Sequence, residues 1–88
     1  MEYNLKHKDI TEKIIGCAME THKTLKNGFQ EIIYQRCLSI EFSKNGISYE
    51  IEKEMGIYYK GGIVGKRRVD FLVENKIPVE IKAVTVLD

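Results

Sequence analysis

Asp70, Glu80 and Lys82 stand in the stretch VDFLVENKIPVEIKA, residues 69–83, which otherwise alternates like a β-hairpin. Two carboxylates on adjacent strands supply hard oxygen ligands for a divalent cation, and Mg²⁺ held by only one or two carboxylates keeps several waters. A lysine beside a metal-bound water orients the nucleophile or stabilises negative charge developing on a scissile phosphate. The set suits hydrolysis of a phosphodiester bond. The plain alternative is that Glu80 and Lys82 form a solvated charge pair on one strand face, with Asp70 opposite Glu80 relieved by Arg68. Like charges opposed across a strand pair destabilise unless something neutralises them, and a cation does so directly.

The register of the hairpin decides whether these groups meet. Val69, Phe71 and Val73 share one face of the first strand, and Ile77, Val79, Ile81 and Ala83 share one face of the second. Directly opposed residues lie on the same face, so a two-residue turn at Asn75 and Lys76 would set Asp70 against Ile81 and split the apolar faces. A three-residue loop, Glu74 to Lys76, pairs Val73 with Ile77 instead. Asp70 then opposes Glu80, and Lys82 opposes Arg68. Upstream, ISYEIEKEM alternates as a strand with Ile47, Tyr49 and Ile51 inward, and IYYKGGIVG reads as a second strand turning at Gly61 and Gly62.

Two helices precede the strands. From Asp9 onward Ile10, Ile14, Cys17, Thr21 and Leu25 fall on one helical stripe, with Asp9 and Glu12 spaced as a capping box. The KNGF segment ends that helix, with Asn27 or Gly28 in a left-handed conformation. A second helix over 29–44 carries two apolar lanes, Phe29, Ile33, Cys37 and Ile40 in one and Tyr34, Leu38 and Phe42 in the other. That width calls for contact on more than one side. Glu31 falls in the second lane, either as a third carboxylate of a site or as a first-turn glutamate favoured by the helix dipole.

With 88 residues, 43% hydrophobic and 31% charged, the chain is expected to form one globular domain. No apolar run approaches the roughly 20 residues needed to span a bilayer, and no leader opens the chain, so a cytoplasmic protein without a membrane partner is expected. Cys17 and Cys37 sit inside helical patterns and read as small hydrophobes in a reducing compartment. A net charge of +1 gives no bulk attraction to nucleic acid, so that role must rest on Lys60, Lys66, Arg67 and Arg68 beside Tyr58 and Tyr59. Their plain reading is a solvated hairpin end.

HKTLKNGFQEIIYQRCLSIEF, with Gly28, Glu31 and Tyr34, resembles the GxxExxY family, and the strands with Asp70 and EIKA resemble the PD-(D/E)XK nuclease fold to which that family is assigned. The resemblance covers about Ile10 to Ala83. It implies a prokaryotic protein with an α/β, restriction-endonuclease-like core, N-terminal helices on a mixed or antiparallel sheet. By the same resemblance Asp70 and Glu80 are metal ligands, Ile81 adds its backbone carbonyl, Lys82 acts on the attacking water and Glu31 lies near the metal. Tyr34 packs or hydrogen-bonds beside Glu31 and Gly28 meets a helix-end requirement; His22 matches the pattern too, but as a histidine flanking an apolar stripe it is read as structural and left out of the site. The implied activity is a Mg²⁺-dependent nuclease acting on DNA, with Mn²⁺ as substitute. The rival is a non-catalytic binding or assembly module on the same scaffold.

Two departures stand out. Val69 occupies the place of the superfamily's proline, and the chain stops at Asp88, where the fold ordinarily continues with a helix and a strand. A C-terminally truncated domain is therefore expected. VEIKAVTV has the composition of an interior strand, and a bare apolar edge there recruits another strand, which leads to an expected two-fold dimer through the C-terminal strand.

Overall fold

The computed structural model describes residues 7–81. Its elements are α1 (Lys8–Leu25), α2 (Glu31–Lys44), β1 (Tyr49–Tyr59), β2 (Gly62–Val73) and β3 (Ile77–Val79). The strands form one antiparallel sheet in the order β1-β2-β3. The chain divides into two compact units, Met1–Ile47 and Ser48–Asp88, the first built on the helices and the second on the sheet.

In the helical unit, α1 buries Ile14, Cys17 and Thr21, as the stripe requires. Thr21 keeps its hydroxyl satisfied by donating to the Cys17 carbonyl at 2.9 Å. The expected capping box is not made. The helix begins at Lys8 with His7 as N-cap, so Asp9 is already helical and its charge serves the first turn instead.

The second helix starts at Glu31, two residues later than the periodicity suggested. Its buried stripe is Gln35, Leu38 and Phe42, the second lane together with a glutamine that alternation did not flag. The first lane is not packed in the same way. Phe29 lies outside the helix, and Ile40 is 58% exposed. The helix ends as KNG foretold, with Gly46 at φ +69°, its N–H on the Ser43 carbonyl and the Ile47 N–H on the Phe42 carbonyl. This pair of bonds satisfies the last carbonyls and brings buried Ile47 back beside Phe42.

In the sheet unit, Val69, Phe71 and Val73 are completely buried, with Leu72, Val79 and Ile81 close to it. Val73 pairs with Ile77 across Glu74 to Lys76, the register deduced from the apolar faces. Glu74 and Asn75 take φ of +53° and +58° to close that loop. Glu74 also ties down the start of β1, accepting the Ser48 N–H at 2.8 Å on Oε2 and donating its own N–H to the Ser48 carbonyl.

Three expectations are corrected. ISYEIEKEM and IYYKGGIVG are not separate strands, because β1 runs unbroken through Gly56 and the hairpin turns at Lys60 and Gly61, where φ of +48° and +86° give the two-residue turn that fits strand twist. Ile51 is 53% exposed, since among the described residues β1 is an edge strand with β2 as its one paired neighbour. And the last strand stops at Val79: Glu80 is irregular and Ile81 is helical. Lys82 and Ala83 lie outside the described residues.

Candidate active site

Asp70 sits near the C-terminal end of β2 between Val69 and Phe71, both completely buried. Strand alternation turns its side chain to the other face, where it is half-buried. Its Oδ2 accepts the Ile81 N–H at 2.7 Å. A side-chain acceptor competes here with the backbone ladder for a donor, and β3 ends two residues before Ile81. The carboxylate is thereby fixed against the residue that follows Glu80.

Glu80 is also half-buried, and its Oε2 lies 3.3 Å from Arg67 Nη1. The expected counter-charge was Arg68, which turns instead to Glu52 at 3.7 Å. Both pairs are substantially exposed, so each contributes no more than about 1 kcal/mol. Glu52 is the residue that periodicity did not single out. The ladder pairs Ile51 with Phe71 and Lys53 with Val69 but skips Glu52 and Asp70, and Glu52 adopts φ +50°. A non-glycine residue in that conformation beside the candidate site is uncommon. One acid among the alternating Glu50, Glu52 and Glu54 gave no signal of its own.

The GxxExxY residues belong to the helical unit, and there two of the three have a structural account. Gly28 has φ +95° with open space where a Cβ would stand, so its requirement is conformational. Tyr34 donates its hydroxyl to the Lys26 carbonyl, fastening the loop that leads into α2. Lys26 itself has φ +68° and donates its N–H to the His22 carbonyl at 2.8 Å. Glu31 does not lie in a buried lane. It is exposed and is the first residue of α2, where a negative charge suits the helix dipole.

Cys17 is buried, and burial foremost, then the nearby Glu41 carboxylate, pushes its thiol pKa up, away from the reactive thiolate. Cys17 and Cys37 are both unpaired with each other or any thiol. Lys66, Arg67 and Arg68 are exposed on β2, and Lys60 at the turn has its ammonium 5.4 Å from the centroid of the Tyr59 ring.

The structure thus joins Asp70 to the Ile81 amide, while the Glu80 carboxylate pairs with Arg67 and the β2–β3 ladder stops at Phe71 and Val79, short of the expected Asp70–Glu80 pair. Among the described residues, no group of three or more His, Cys, Asp or Glu side chains is placed to hold a metal ion. By their chemistry, the carboxylates of Asp70 and Glu80 and the Ile81 carbonyl are hard oxygen donors of the kind Mg²⁺ takes together with water, and they lack the thiolate and imidazole of a closed zinc site. None of the described helices is long and apolar enough to cross a membrane.

Comparison with known families gives the decisive observation: residues 8–88 match the PD-(D/E)XK nuclease superfamily. The chain belongs to that superfamily. No curated protein and no solved structure matches it. The two helices and the three-stranded antiparallel sheet are the α/β arrangement of a short PD-(D/E)XK nuclease-like core. Membership points to nuclease-like activity on nucleic acid, and PD-(D/E)XK nucleases are generally dependent on divalent metal.

Proposed function

We propose that this PD-(D/E)XK protein is a Mg²⁺-dependent deoxyribonuclease of the GxxExxY kind, a single domain working in the cytoplasm of a prokaryote. The observation that carries the reading is the Asp70 carboxylate held on the Ile81 amide, directly beside Glu80. Asp70, Glu80 and the Ile81 carbonyl would hold the metal, which when bound supplies Lewis acidity and an activated water. Lys82 would orient that water and stabilise charge developing on the phosphate. For Glu31 the support is the family resemblance alone. Lys60, Lys66, Arg67 and Arg68 would track the phosphate backbone.

The test is nicking of labelled DNA with Mg²⁺ or Mn²⁺ by the wild type and by Asp70→Asn. Asparagine keeps a carbonyl oxygen for the Ile81 N–H while removing the ligand charge, so cleavage is expected to vanish with the fold retained. Cleavage that survives Asp70→Asn and Lys82→Ala overturns the assignment.

One observation favours the rival, a non-catalytic binding or assembly module: the Arg67 guanidinium can itself compensate the Glu80 charge in place of a metal ion. A thermal midpoint that millimolar Mg²⁺ and Mn²⁺ leave unmoved selects that rival, since a ligand bound by the native state stabilises it by mass action. A homodimer belongs to the same proposal. Beyond Val79 and Ile81 the C-terminal segment lies outside the described residues, and β3 has no strand on its outer edge among those described. Sedimentation at micromolar concentration checks it, with a 10.2 kDa species excluding the dimer.

A further inference from the structure

The far end of the β1–β2 ribbon is open on both faces. Tyr58 and Tyr59, adjacent in β1 and therefore on opposite faces, are 65% and 64% exposed, and Ile57, Ile63 and Val64 are exposed around them. Residues 55–69 contain no acid and four bases. Arg67 and Arg68 are drawn back to Glu80 and Glu52, which leaves Lys60 and Lys66 at the tip without an ion pair among the described residues.

The Tyr58 ring has a particular seat. A Cβ built on Gly56 would stand 3.2 Å from Tyr58 Cε2, so the ring lies over the glycine, on backbone that a side chain would occupy. Lys66 is the cross-strand partner of Gly56 and shares that face. A bulge follows at once: Ile57 pairs with Gly65 and Tyr58 with Ile63, leaving Val64 unpaired, which increases the local twist. The result is an exposed aromatic ring on a glycine floor, with the base Lys66 at the paired position of the neighbouring strand.

We infer that the Tyr58 ring, seated on Gly56 beside Lys66, is a stacking platform for unpaired bases, so that the nucleic acid this protein takes is single-stranded at the ribbon tip. The inference rests on the nucleic-acid reading above and names its substrate class. Exposed rings and aliphatic side chains on both faces match the π-faces of splayed bases, whereas bases in a duplex are already stacked on one another. The lysines supply the complementary charge for the backbone, and the absence of any acid from 55–69 keeps that path attractive throughout. Tyr59, under the Lys60 ammonium, offers a second ring on the opposite face.

The experiment is fluorescence anisotropy with a labelled oligothymidylate and a duplex of equal length, at low salt and in EDTA, so that binding is read apart from cleavage. The wild type is expected to prefer the single strand. Tyr58→Ala weakens that binding by about 5- to 150-fold, the range for loss of one base stack, and Tyr58→Phe retains it. Lys66→Ala lowers the slope of log affinity against log salt by about 0.7. Circular dichroism melting verifies that these surface variants fold. Equal binding by Tyr58→Ala, a duplex held as tightly as the single strand, or no binding by the folded wild type overturns the inference. Single-strand binding without any metal-dependent nicking defeats only the active-site reading.

Discussion

The two ends of one ribbon are built on opposite principles. At its base, Val69, Phe71 and Val73 have no exposure, Glu74 fastens the loop to Ser48, and Asp70 is fixed on the Ile81 amide. At its tip, rings and aliphatic side chains stand in solvent on both faces. A ligand set must be held to fractions of an ångström by buried neighbours, while a surface that meets a flexible polymer gains from exposure and from a seat such as Gly56. The contrast accords with the proposed division of chemistry at the base and recognition at the tip, and it can be broken at either end.

The largest effect is expected from the core beneath the site. Phe71→Ala removes a completely buried ring that meets Tyr49 edge-on at 5.6 Å between centroids. It should cost about 3–5 kcal/mol in denaturant unfolding, enough to unfold a small domain. Tyr58→Ala at the tip should stay within about 0.5 kcal/mol. Comparable losses at both ends would erase the distinction.

Next comes the chemistry of the base. Lys82→Ala should slow metal-dependent nicking by about 10²–10⁴-fold, the usual contribution of a positioned proton-transfer group, while leaving oligothymidylate affinity in EDTA unchanged. A loss of binding equal to the loss of cleavage would make Lys82 a phosphate contact and merge the two regions.

The helical unit offers smaller tests. Tyr34→Phe deletes the hydroxyl that holds the Lys26 carbonyl and should lower stability by about 1 kcal/mol, read as a shifted denaturation midpoint. Gly28→Ala should cost a similar amount through its positive φ, although nothing blocks the added methyl. If Gly28→Ala is silent, the glycine answers to a ligand and not to the backbone.

The smallest effect is a pH dependence. Cys17 has its pKa raised by burial and then by Glu41, so the folded state holds the thiol proton more tightly than the unfolded chain. Its contribution to stability is complete below the unfolded thiol value of about 8.5 and declines as pH rises toward the folded one. Melting temperatures between pH 8 and 10 should therefore fall less steeply in Cys17→Ala than in the wild type, after allowance for the methyl-sized cavity. Equal slopes would mean that the thiol is not held protonated by the fold.

What the sequence by itself determined was periodic or stereochemical. The apolar alternation of Val69, Phe71, Val73, Ile77 and Val79 admits one register, because a shift by one residue turns every side chain to the other face. The left-handed Gly28 and the KNG helix end followed from backbone sterics that act on a few neighbouring residues. The face of β2 on which Asp70 lies was legible for the same reason, and the family match supplies the chemistry proposed for it. Only the tertiary structure decided which partner each polar group takes. Arg67 and Arg68 are neighbours of the same type, and the choice of Arg67 for Glu80 and of Arg68 for Glu52 depends on a chain path that leaves regular strand at Glu52 and again after Val79. The hold of Asp70 on the Ile81 N–H joins groups 11 residues apart, and that of Tyr34 on the Lys26 carbonyl spans 8. Alternation orients a side chain to a face, but it cannot name the donor or acceptor waiting there, because that atom arrives by the folding of another segment.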